Sequence, residues 1–89
     1  MREENLLSLV AYVRISKYRL KVLKSIGNDI KMPRDIAKES NLRPNHVSST
    51  LRDLKNKKLI ECINEDVRKG RIYRATELGK EVYDIIERE

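Results

Sequence analysis

Pro33 and Pro44 are the only two prolines in the chain, and each stands where a helix is about to begin. Proline has no N–H to give and a φ fixed near the helical value, so it suits a first turn and disrupts any later one. Pro33 therefore reads as the start of a short helix to about Glu39, with Ile36 and Ala37 turned inward. Pro44 opens a second helix that runs to about Lys57 on the apolar stripe Val47, Leu51 and Leu54. Ser40 to Arg43 remain as a tight connection, and two helices joined so closely cross, holding the second out from the body.

The flanking segments fill in around this pair. From Asn5 to Ile15 the pattern is double: Leu6, Leu7, Val10 and Val13 share one helical face that Leu9 widens, while Val10, Tyr12, Val13 and Ile15 also suit a strand. The spacing favours a helix for the first two turns. Ser16 reads as the N-cap of a helix over 17–26 with Leu20, Val22, Leu23 and Ile26 inside, and Gly27 as its stop. Asn28 to Met32 leave room for one brief strand. The period then shortens: Leu59 to Asn64 and Arg71 to Ala75 read as a β-hairpin around a polar turn. Thr76 caps a last helix bearing Leu78, Val82, Ile85 and Ile86. The expected fold is mainly α with a small β-hairpin wing, one domain over 1–89, with 1–15 a helical extension available for dimerisation.

Composition removes whole classes of function. One cysteine, Cys62, forms no intrachain disulfide, and with the one histidine, His46, it makes no classical zinc site. No Gly-rich phosphate loop and no nucleophile–base pair is apparent, so an enzyme is not expected, nor a cofactor, nor a small-molecule pocket. Cys62 reads as core filling in a strand. No apolar run is long enough to cross a membrane. Met1-Arg2-Glu3-Glu4 carries acids where a secretion signal needs bases, so a cytoplasmic setting is expected.

Charge points to a partner. Residues 1–58 hold fourteen basic and six acidic side chains, while residues 59–89 hold six and eight. In the second part the positives bunch in the hairpin as Arg68, Lys69, Arg71 and Arg74, whereas the last helix is acidic on its Glu77, Glu81 and Asp84 side. With Val47, Leu51 and Leu54 buried, the 44–57 helix turns Asn45, Ser49, Arg52 and Asn56 outward, flanked by His46 and Ser48. Asn and Arg are the side chains that pair bidentately with adenine and guanine edges. Lys17 and Arg34 add positive charge at helix starts, where phosphates bind, and Lys55 adds more on the 44–57 helix. An ordinary solvated face would also be polar; the acid-poor front and the basic hairpin favour a nucleic-acid surface.

The stretches SKYRLKVLKSI, MPRDIAKESNLRPNHVSSTLRDLKNKKLIECI and KGRIYRATELGKEV resemble the winged helix-turn-helix domain of small archaeal transcriptional regulators, broadly of the MarR and ArsR groups. The resemblance spans Ser16 to Ile86. It implies double-stranded DNA as partner, the 44–57 helix in the major groove, and a wing over 65–72 on the backbone or in the minor groove. Carried over by position, it singles out Arg43, Asn45, His46, Ser48, Ser49 and Arg52 on the helix and Lys69 and Arg71 on the wing. Many relatives have glycine where this chain has Lys58, at the exit of that helix. A homodimer is expected, with Leu6, Leu7, Val10 and Val13 pairing with Val82, Ile85 and Ile86 across a two-fold axis; the alternative is that the two sets pack within one chain and complete a monomer's small core. A winged-helix module for protein contacts is the alternative. RNA is a third possibility, though only scattered tyrosines offer a stacking platform.

Overall fold

The computed structural model describes the backbone of residues 2–88, with side chains described from Leu6 to Arg88. Met1 and Glu89, the ends of the expected domain, lie outside the described residues, as do the side chains of Glu3 and Glu4. The elements run α1 (Arg2–Arg14), α2 (Lys17–Ile26), α3 (Pro33–Ser40), α4 (Pro44–Asn56), β1 (Ile60–Cys62), β2 (Tyr73–Ala75) and α5 (Glu77–Arg88). Both prolines take the first helical position as expected. Ser16 caps α2, its hydroxyl oxygen accepting from the Arg19 amide at 3.3 Å.

The double-natured first segment is helical through Arg14, so the strand alternative falls. Its buried face is Leu9, Val10 and Val13, with Leu6 partly covered. Leu7, read from its spacing as part of that face, is 70% exposed. The reason is geometric: α1 packs against α2 and α5, which together take one face, and Leu7 lies a hundred-degree step round from Leu6.

The α3–α4 connection is set by one residue. Asn41 takes the left-handed conformation (φ 58°). Its amide then reaches the Lys38 carbonyl at 3.4 Å, and the Leu42 amide reaches Ala37 at 3.0 Å. This paired closure satisfies carbonyls that the helix end leaves open. Asn tolerates the left-handed region better than other residues with a Cβ.

The same closure recurs at the exit of α4, where the Lys58 amide donates to Lys55 at 2.9 Å and Leu59 to Leu54 at 3.0 Å. Here Lys58 holds φ 62°, a conformation that suits glycine. Its contribution to the closure is backbone only, so Lys58→Gly is expected to raise stability by about 1 kcal/mol, the left-handed cost removed less the entropy glycine adds to the unfolded chain. Chemical denaturation of the two proteins, read as a midpoint shift at constant slope, checks this.

The strands are shorter than the alternation of apolar residues suggests. They pair antiparallel with Ile60 opposite Ala75, Glu61 opposite Arg74 and Cys62 opposite Tyr73. One step further the Ile63 amide still reaches Ile72, but the Ile72 amide is taken by the Asn64 side chain at 2.9 Å, which ends the ladder. The brief strand expected within 28–32 reduces to a single bridge, Lys31 paired with Tyr73 through two hydrogen bonds. Cys62, expected in the core, is half-buried, its thiol 3.6 Å from Asn64 Oδ1.

The core is one cluster drawn from every helix and both strands. Val13, Val22, Leu23, Ile26, Ile36, Val47, Leu54, Leu59 and Val82 are fully covered within it. α5 closes that core through a close backbone approach. Thr76 Oγ1 donates to the Lys58 carbonyl at 2.7 Å and accepts from the Gly79 amide at 3.0 Å, and the Thr76 amide donates to the Leu59 carbonyl at 3.0 Å. A Cβ on Gly79 would stand 1.8 Å from that Leu59 carbonyl oxygen.

Candidate nucleic-acid interface

Burial of Val47, Thr50, Leu51 and Leu54 fixes how α4 is rolled on the body. Asn45, Ser49, Arg52 and Asn56 are then all exposed, as the spacing requires. The Ser49 hydroxyl makes only a 3.4 Å contact to the His46 carbonyl of its own helix. Asn45 lies at the front near the start of α4. Asn56, three turns on, borders a depression shared with Ser8 and Leu9 of α1 and Leu78 of α5. The structure thus does not bring it together with the front residues.

The two flanks of α4 are held by different neighbours. On one side the His46 ring stacks on Tyr18 of α2, with centroids 4.7 Å apart. Further along that side, Asp53 Oδ2 lies 3.9 Å from the buried Arg19 Nε, an ion pair too long for a hydrogen bond. The Arg19 guanidinium also covers the Tyr12 ring at 3.7 Å and donates to the Tyr12 carbonyl at 2.9 Å. This ties the end of α1 through α2 to α4.

The opposite flank faces the wing. Lys55 Nζ lies 2.7 Å from Glu65 Oε2. The hydrogen bond from Lys55 holds the Glu65 carboxyl below the usual carboxylate range, and the same bond raises the Lys55 ammonium. Each shift favours the charged form. The Glu65 contribution is present above the unfolded carboxylate range and lost as acid titrates it; that of Lys55 is lost only as pH rises through its own raised value. Ser48, Arg52 and Lys55 of α4 face Arg71 and Tyr73 across a cleft of about 300 Å3.

The wing itself is braced from within. Arg71 Nε donates to the Val67 carbonyl at 2.7 Å and its terminal amine to the Glu65 carbonyl at 3.1 Å. Asn64 closes the base of the loop, accepting from Ile72 and donating to the Gly70 carbonyl at 3.1 Å. Arg74 pairs with Glu61 across the strands at 2.7 Å. Arg68 and Lys69 are left exposed at the tip. Of the other expected contacts, Arg34, Arg43 and Lys17 are exposed at the starts of α3, α4 and α2.

Sequence reasoning did not find Tyr18, Glu65 or Tyr73. Tyr18 sits on another helix from His46, and Lys55 and Glu65 are ten positions apart with a helix end between them, so no periodicity links either pair. The hairpin register could have pointed to Tyr73, since an inward Ala75 puts Tyr73 on the same strand face.

Helix-turn-helix, hairpin beside the second helix and a closing C-terminal helix define a winged helix-turn-helix fold. Solved structures with this fold are similar over nearly the whole chain. TubR of the Bacillus thuringiensis serovar israelensis plasmid pBtoxis, solved bound to 24 bp of tubC, superposes with a TM-score of 0.82 at 16% identity, covering 93% of this chain and 92% of that one. The homodimeric winged helix-turn-helix domain of Mb0332 from Mycobacterium bovis, a possible ArsR-family regulator, gives 0.70 at 18% identity over 97% and 79%. NolR from Sinorhizobium fredii gives 0.63 at 18% over 99% and 88%. At these identities the likeness is one of fold, and all three come from bacteria. No protein-family model and no curated protein sequence matches the chain.

Proposed function

We propose that this chain binds double-stranded DNA as a homodimer and regulates transcription in the cytoplasm, in the manner of the small archaeal regulators its sequence resembles. The observation that carries the reading is the exposed front of α4. Asn45 and Ser49 stand clear of the body there, with a wing bearing Arg68, Lys69 and Arg71 beside them. In this reading α4 enters the major groove, Asn45 and Ser49 meet base edges, and the wing follows the backbone. Arg34, Arg43 and Lys17 supply phosphate contacts at helix starts, where unpaired N–H groups add to their charge. TubR, similar in fold, is bound to DNA. For the dimer, Leu7 on the outer side of α1 and Ile15 just past its end are 70% and 80% exposed, in line with exposed Ala11 between them. Val10, Val13, Val82 and Ile86, expected in the seam, are instead buried within the chain where α1 packs on α5, so in this reading the seam is the exposed apolar line; the Mb0332 domain of like fold is homodimeric.

The test is fluorescence anisotropy of random-sequence duplex across a salt series, followed by selection of bound duplexes from a random pool. Affinity is expected to fall steeply between about 50 and about 200 mM salt, each neutralised phosphate adding about 0.9 to the slope. The selected duplexes are expected to be twofold symmetric, and Asn45→Ala to relax one position in each half-site by about 1–3 kcal/mol of discrimination. No binding to duplex at the lowest salt would refute the reading and leave the winged helix as a protein-contact module.

A further inference from the structure

We propose that the cleft between α4 and the wing is a seat for one phosphate group, and that Glu65 occupies its cation until a phosphate displaces it. Three cations converge there. Arg52 and Lys55 come from α4 and Arg71 from the wing, while Ser48 and Tyr73 add hydroxyls and Pro33 lies at the α3 side. Against them stands one carboxylate, Glu65, 2.7 Å from Lys55. The excess of two positive charges matches a phosphate monoester near neutral pH, and exceeds what one backbone phosphodiester brings. Hydroxyls beside cations are the donors that phosphate oxygens accept from. A cleft of about 300 Å3 is ample for a phosphate and at the lower limit for a bulky organic ligand.

Two features separate this cleft from ordinary surface charge. Its walls belong to different elements, and each is fixed: α4 by its buried stripe, the wing by the bonds from Arg71 to the Val67 and Glu65 carbonyls. Those bonds point the Arg71 guanidinium before any ligand arrives, which lowers the ordering cost of binding. The carboxylate of Glu65 lies on Lys55 as a phosphate oxygen would, so the site has its own internal competitor. In this proposal Arg52 serves the phosphate seat in place of the base-reading role that its spacing suggests.

The phosphate comes either from the DNA backbone or from a free monoester, and the experiment separates them. The first arm uses no DNA: amide shifts of the isotopically labelled full chain are followed while inorganic phosphate is titrated against chloride at equal ionic strength. Saturable shifts are expected at Ser48, Arg52, Lys55, Arg71 and Tyr73. Lys55→Gln is expected to weaken phosphate binding about tenfold, and Glu65→Gln to strengthen it about threefold. Both side chains changed here are exposed, so thermal melts should stay close to the parent. Shifts equal to those from chloride, or a Glu65→Gln variant that binds phosphate more weakly, would overturn the proposal.

The second arm rests on the DNA-binding reading. Arg52→Ala is expected to lower affinity by the same factor for selected and random duplexes, and to reduce the salt slope by about 0.9. An unchanged slope with phosphate shifts present assigns the seat to a free monoester. Phosphate binding by a chain that ignores DNA would overturn the function proposed above and leave the seat standing.

Discussion

Gly79→Ala is expected to cost about 3 kcal/mol, a fall in Tm of about 12–24 °C for a domain of this size. The added methyl would lie 1.8 Å from the Leu59 carbonyl oxygen and 2.9 Å from its carbon. Neither atom belongs to a flexible side chain, so relief requires α5 to retreat from the strand. Retreat breaks the contacts that Thr76 makes with Lys58 and Leu59, and it uncovers Val82 and Ile86. Gly70→Ala is the control. Gly70, unlike the helical Gly79, has positive φ, at 77°, and no atom lies within 4 Å of its added methyl, so only the local backbone cost of about 1 kcal/mol is expected. Thermal denaturation of the two variants distinguishes a packing clash from a conformational preference. Equal losses would mean that the α5–Leu59 approach is not rigid.

Ser49→Glu is expected to weaken duplex binding at least about a hundredfold while leaving stability within about 0.5 kcal/mol. Ser49 is exposed, and its contact to the His46 carbonyl, at 3.4 Å, contributes little. Glutamate is also a better helix former than serine, so the fold does not suffer. The carboxylate would stand at the centre of the front, facing the phosphates and acceptor-rich base edges of a groove. Anisotropy at low salt beside a denaturation curve reads both quantities. Retained affinity would show that α4 does not present this face to DNA, whatever the wing does.

Much of this fold is written in single residues. Pro33, Pro44, Ser16 and Thr76 each carry a local instruction that needs no partner elsewhere in the chain, and each begins its helix where expected. The departures come from contacts between elements. Leu7 shares the apolar character of its neighbours, but the groove between α2 and α5 accepts one face of α1 only. The strands stop early because Asn64, a side chain, takes an amide that alternation assigns to the ladder. At the site, the outward face of α4 was legible from three buried residues. The cleft was not. It depends on how far the wing folds back toward α4, which the Lys55–Glu65 pair and the Arg71 brace report only in three dimensions.

The Asn64 closure has a consequence for how such a chain can change over time. Its side chain joins Gly70 and Ile72, so the foot of the loop is fastened independently of the residues beyond it. Lengthening the chain between Arg68 and Lys69 would add slack outside that fastening and leave sheet and helices undisturbed. Reach along a duplex is therefore a quantity that evolution can adjust by insertion, without renegotiating the architecture beneath.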